Sequence, residues 1–142
     1  MSAADFFDTN IILYGLDANA PVAKRHRSEQ LVAEALSERS AVISWQIVQE
    51  TLNVVTGRFK SGISDADCEH LLAGILRPLW LVQPSVAIFS RSLAVQRRYR
   101  FSFHDSLVVG AALEAGCKRL LTEDLQHGQK IEGLRIENPF RA

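Results

Sequence analysis

The chain is poor in the features that mark secreted, membrane and fibrous proteins. It has only two cysteines, Cys68 and Cys117, far apart and without C-x-x-C or histidine partner spacing, which argues against a zinc site and a disulfide-stapled scaffold. No stretch approaches the roughly 18 apolar residues of a membrane span, and Met1 to Asp8 has acidic residues where a leader needs basic ones, so a cytoplasmic protein with no membrane partner is expected. Net charge is missing too: 16 Lys and Arg balance 16 Asp and Glu, so any nucleic-acid site must be local. No G-x-G-x-x-G follows the first apolar run, which counts against dinucleotide binding. Linkers, repeats and low-complexity stretches are absent. With 47% hydrophobic and 23% charged residues, disordered, collagen-like and coiled-coil classes are excluded. A chain of 142 residues buries roughly two thirds of its unfolded surface, enough for one core, so one domain over residues 1–142 is expected.

What is present is an alternation of short apolar runs with longer helix-period segments, the pattern of an α/β domain with a mainly parallel sheet of four to five strands. The runs are Phe6-Phe7, Ala41 to Ser44, Leu79 to Val82, Arg119 to Thr122 and, more weakly, Leu134 to Ile136. Between them, helices are predicted over Ile11 to Leu16, Pro21 to Glu38 with Pro21 in the first turn, and then a stripe of Trp45, Val48, Leu52, Val55 and Phe59. That last helix should weaken at Gly57 and end by Gly62. Further helices are predicted from Ser64 to Leu76, stopping before Pro78, from Ser85 to Arg98, and from Ser102 to Ala115, closed by Gly116. Both cysteines are expected to be buried thiols.

In a parallel α/β sheet ligands bind outside the carboxyl ends of the strands, which singles out Asp8 after the first strand and Asp124 after the fourth. Glu50, about a turn into the helix after the second strand, and Asp105, at the start of the apolar helix, can join them at that edge. Several carboxylates there repel one another and raise each other's pKa unless a cation neutralises them. An all-oxygen, highly charged set selects Mg²⁺ or Mn²⁺, and such ions promote phosphodiester hydrolysis by orienting phosphate and activating water. Ordinary roles compete: Asp8 as a helix cap, Asp105 in a Ser102-x-x-Asp105 capping box, Asp124 in an Asx-turn, and Glu50 as a solvated residue beside Gln46, Asn53 and Gly57.

Four segments in order decide between these. Phe6-Phe7-Asp8-Thr9-Asn10, then Ser44 to Glu50, then Phe103-His104-Asp105 to Ala112, then Leu120 to Gly128, resemble the successive motifs of PIN-domain ribonucleases, closest to VapC-type toxins of bacterial toxin–antitoxin pairs. The resemblance runs through to Phe140. It implies a three-layer α/β/α fold and carries the metal-binding, catalytic acids onto Asp8, Glu50, Asp105 and Asp124, with Thr9, Asn10 and Thr122 as the polar residues supporting them. Glu123, beside Asp124, is either a further ligand or merely exposed. The resemblance further implies a Mg²⁺- or Mn²⁺-dependent endoribonuclease in which metal-activated water attacks in line, leaving 5′-phosphate and 3′-hydroxyl ends. A homodimer is implied as well, with a cognate antitoxin whose C-terminal segment covers the acidic site, a cationic side chain complementing the acids.

Charge is segregated along the chain: from Arg77 to Arg119 there are seven basic and two acidic residues. Within that span Arg97, Arg98 and Arg100 alternate with Tyr99, Phe101 and Phe103 just before Asp105, a composition suited to phosphate contact and base stacking on RNA. His104 and His127, near the motif acids, are expected to pack or hydrogen-bond and not to transfer protons. Trp45, Ile47, Val48, Leu52, Val54 and Val55 offer more apolar surface than one helix face needs, so the helix is either buried on two sides or part of an interface. The competing functions are a catalytically silent PIN-like domain that binds RNA or protein, and a structure-specific DNA nuclease. A phosphoryl-transfer enzyme with an aspartyl nucleophile is disfavoured by Asn10 standing where its second Asp belongs.

Overall fold

The sequence supplies two kinds of apolar segment, and each forms the element its length allows. A computed structural model describes residues 4–57 and 63–141. Runs of three or four residues, too short for a helix, form β1 (Asp5–Phe7) and β2 (Ala41–Ser44), both buried throughout, the edgeward β3 (Trp80–Val82), where Leu81 is exposed, and the partly buried β4 (Arg119–Leu121) and β6 (Leu134–Glu137). Lys130–Ile131 adds a two-residue β5. The helices are α1 (Thr9–Leu16), α2 (Val22–Glu38), α3 (Trp45–Gly57), α4 (Asp65–Leu71), α5 (Arg77–Leu79), α6 (Val86–Tyr99) and α7 (Phe103–Glu114). They cover the sheet in three α/β/α layers.

Strand order is β3-β2-β1-β4-β6-β5, parallel throughout except for the β5–β6 pair. The chain lays β2 and β3 on one side of β1 and then returns to lay β4 on the other. The order therefore reverses between β1 and β4, and the crevice opens outside their carboxyl ends. Phe6, Phe7, Ile43, Leu120, Leu121 and Ile136 are essentially inaccessible on these strands, each worth about 1.5–3 kcal/mol of apolar transfer. Helix α7 is buried from Ser106 to Ala112, and α6 crosses it closely at Gly110, where a Cβ would lie 2.1 Å from Ser92 Oγ. A larger residue there would have to displace the Ser92 hydroxyl and press on the Ile88 carbonyl, 3.2 Å away.

The sequence reading needs correction in five places. Pro21 is the cap before α2, one residue outside the first turn. The helical path runs through Pro78: after Ser64 and Asp67 close a capping box on α4, a π-helical stretch, Leu72–Leu76, leads into α5, where proline occupies an early position that requires no N–H. The sheet has six strands, because β5 is too short to leave a pattern. On α3 the buried face is Ile47, Val48, Thr51 and Val55 together with Gln46, while Trp45 and Leu52 are half-buried; Phe59 and Gly62, assigned to that helix and its end, lie outside the described residues. Cys117 is buried, its thiol pushed up to about 12 by burial and by Asp5, whereas Cys68 is half-buried. Among the described residues no helix is long and apolar enough to cross a membrane.

Candidate functional site

Asp8 lies immediately beyond β1, 4% exposed, and caps α1 by accepting Thr9 N–H at 2.7 Å. Its other oxygen accepts the Thr122 hydroxyl at 2.7 Å, and Thr122 Oγ1 in turn accepts Asp124 N–H at 3.1 Å. The capping role and the site role thus coincide, and Thr122 joins the ends of β1 and β4 through one hydroxyl. Burial, reinforced by the charges of Asp124 and Glu50, pushes Asp8 up to about 6 despite those two hydrogen bonds. Asp124 is also raised, first by burial, then by Asp105 and Glu123, against His104 and a hydrogen bond from Asn10. Asn10 further accepts Glu123 N–H at 3.4 Å. All four predicted acids are therefore electrostatically linked at the β1/β4 crevice.

Glu50 and Asp105 enter from the flanking helices. Ser102 caps α7 by accepting Asp105 N–H at 3.0 Å, but among the described residues no bond returns from the Asp105 carboxylate, unlike the closed box of Ser64 and Asp67. Half a capping box leaves that carboxylate free. Glu50 is not simply solvated: its Oε2 is 2.8 Å from His104 Nε2. Gln46, one turn earlier on α3, reaches His104 Nδ1 at 3.1 Å and the His104 carbonyl at 3.2 Å. A cleft of about 460 Å³ opens between Asn10, Glu50, Asn53, Glu123 and Asp124, and among the described residues no basic side chain lines it.

Glu123 faces this cleft but is already engaged. It accepts a hydrogen bond from the Tyr14 hydroxyl and an ion pair from Lys24 at 2.5 Å, and these outweigh its burial to hold it below the usual carboxylate range. Lys24 also lies 4.9 Å from the Tyr14 ring centroid, and Tyr14 meets Phe140 edge-on. Sequence reasoning missed Gln46, Tyr14 and Lys24; for Gln46 the available signal was its one-turn spacing from Glu50. His127 hydrogen-bonds as expected, accepting Asn138 N–H. Thr9 supports Asp8 through its backbone, since its hydroxyl finds no partner. Arg97, Arg98 and Arg100 are exposed, and among the described residues none makes an ion pair, while Tyr99 stacks on Phe101.

Does this donor set suit a divalent cation? Among the described residues no three His, Cys, Asp or Glu side chains gather closely enough to enclose an ion unaided. Hydrated Mg²⁺ does not need such a cage, because it keeps several waters and takes one or two carboxylates directly. Four of the buried polar atoms without partners, Thr9 Oγ1, Ser44 Oγ, Gln46 Oε1 and Ser106 Oγ, belong to residues flanking the acids or ending β2. Unmet hydrogen-bonding capacity and linked carboxylates beside a cleft that no basic side chain lines among the described residues fit a hydrated hard ion.

The model of the PIN-domain family matches residues 6–130. Comparison with curated proteins by sequence finds no match. Among solved structures, a toxin–antitoxin complex from Klebsiella pneumoniae superposes with a TM-score of 0.70 at 18% identity, covering 95% of this chain and 97% of that one. VapBC from Salmonella typhimurium, bound to DNA, gives 0.63 at 18%, covering 96% and 98%. VapC20 of Mycobacterium tuberculosis, a sarcin–ricin loop cleaving toxin, gives 0.59 at 14%, covering 84% and 91%. At these identities the likeness is one of fold.

Proposed function

Because the chain belongs to the PIN-domain family, we propose that it is a Mg²⁺- or Mn²⁺-dependent endoribonuclease, a VapC-type toxin restrained by a cognate antitoxin. One observation carries the reading: at the β1/β4 switch point Asp8 is buried and acted on by the charges of Asp124 and Glu50, and among the described residues no basic side chain lines the adjoining cleft. Asp8, Glu50, Asp105 and Asp124 would hold the metal. A bound ion supplies Lewis-acid activation of the scissile phosphate and of the attacking water. Thr9 N–H and the Thr122 hydroxyl hold the Asp8 carboxylate in one orientation, and Asn10 does the same for the loop carrying Asp124. Cleavage breaks the P–O3′ bond and leaves 5′-phosphate and 3′-hydroxyl ends. Arg97, Arg98 and Arg100 would hold RNA by its phosphates.

The negative cleft suits a cationic side chain from the antitoxin. A homodimer is supported by the solvent-facing apolar stripe of Val86, Phe89 and Leu93 on α6, with Trp45 against Phe89 at 6.0 Å. The fold neighbours solved as toxin–antitoxin complexes support the antitoxin partner.

The test is incubation of the partner-free chain with total RNA in Mg²⁺, Mn²⁺ or EDTA, beside Asp8→Asn and Asp105→Asn. Discrete fragments that require metal and vanish in both folded variants are expected. Failure to bind metal at all overturns the reading in favour of a silent binding domain. Replacing Arg97, Arg98 and Arg100 together by Ser should weaken cleavage and flatten the log–log salt slope by about 2.

A further inference from the structure

Glu50 is half-buried at the edge of the cleft, where a glutamate side chain ordinarily still samples several rotamers. Here it is one end of a three-residue chain. Gln46 and Glu50 stand one turn apart on the same face, and the His104 ring, from the first turn of α7, spans them. Gln46 is 9% exposed and its amide faces the His104 backbone carbonyl at 3.2 Å. A carbonyl oxygen only accepts, so the amide group turned toward it must be the NH₂. The second hydrogen of that NH₂ then points at His104 Nδ1, 3.1 Å away, and Nδ1 must offer a lone pair. The ring proton is left on Nε2, 2.8 Å from Glu50 Oε2, which accepts it.

We propose that His104 is the positioning residue for Glu50, set in its Nε2–H tautomer by the buried Gln46 amide so that one oxygen of Glu50 is tied down. The other oxygen is thereby kept for the cleft. Because His104 precedes Asp105, the same contact fixes α3 against the turn that carries a second site acid. This deepens the metal-dependent reading and rests on it, but the geometry of the chain can be tested without metal.

Two measurements on the full chain decide it. With ¹⁵N-labelled histidine and no metal, His104, assigned by the signal lost in His104→Gln, should show Nε2 protonated and Nδ1 as an acceptor. Gln46→Leu should bring in the Nδ1–H form. By Mn²⁺ calorimetry, His104→Phe should weaken binding about 10-fold. His104→Gln, whose carboxamide can accept from Gln46 and donate to Glu50, should restore it. His104 is 48% exposed, so these replacements leave the core intact. Unchanged Mn²⁺ affinity in His104→Phe, or a wild-type ring in the Nδ1–H form, overturns the proposal. A wild-type chain that binds no Mn²⁺ overturns the nuclease reading instead, and the nitrogen shifts tell the two failures apart.

Discussion

Strand β1 begins with Asp5 and is followed at once by Asp8, and the two ends of this strand treat the same side chain in opposite ways. Asp5 is buried at the amino edge of the sheet and receives both arms of the Arg119 fork, at 2.8 and 2.7 Å, while Arg119 also reaches Glu137 at 2.6 Å. The cross-strand pairing of Asp5 with Arg119 brings these charges together, and Asp5 holds the guanidinium firmly ionised. Asp8 has no cation. Its neighbours are hydrogen-bond donors and further acids, and it is pushed up to about 6. One end of the strand thus satisfies its charge within the fold, and the other leaves a carboxylate whose charge is met by hydrogen bonds alone among the described residues.

The sharpest way to break this comparison is Asp8→Asn, which should lower RNA cleavage by about 100-fold or more. Its effect on stability should have the opposite sign. The native pKa of Asp8 lies above the ordinary 3.8, so its contribution to stability is full below pH 4 and is lost as pH rises through about 6. In chelator at pH 7.5 the Asn variant should therefore be more stable than wild type by about 2 kcal/mol, the difference closing toward pH 4 and also closing when Mn²⁺ is added; urea midpoints across pH measure this. Arg119→Met tests the other end. It strands the buried Asp5 and should cost about 1–2 kcal/mol, less than a fully buried pair because Arg119 is 42% exposed, while cleavage per folded molecule stays at the wild-type level.

A smaller effect separates the two acids that follow β4. Asp124→Asn should weaken Mn²⁺ binding measurably. Glu123→Gln should leave it unchanged, since Glu123 is taken up by Lys24 and Tyr14. Lys24→Met, which breaks a partly exposed pair, should change stability by less than about 1 kcal/mol in a thermal melt.

Sequence patterning located the main strands and helices to within a few residues because short apolar runs and 3.6-residue periodicity are local properties. It failed where the deciding interaction was not local. Gln46 reads as polar and outward on its own helix, and is buried because α7 arrives over the first turn of α3. Pro78 reads as a stop, yet the preceding π-helical stretch changes which positions need an N–H. Glu123 and Asp124 are adjacent acids, and nothing in the chain says which one meets a lysine 99 residues away.

The order of the motifs by itself determined the family, the alternation of strands and helices, and which acids stand at element ends, since each depends on residues close together in the chain. Tertiary structure decided the rest. The reversal of strand order set β1 beside β4, so that Asp8 lost its water among like charges while Asp5 kept an arginine. Solvation and charge pairing depend on which distant segments meet, and only the folded chain settles that.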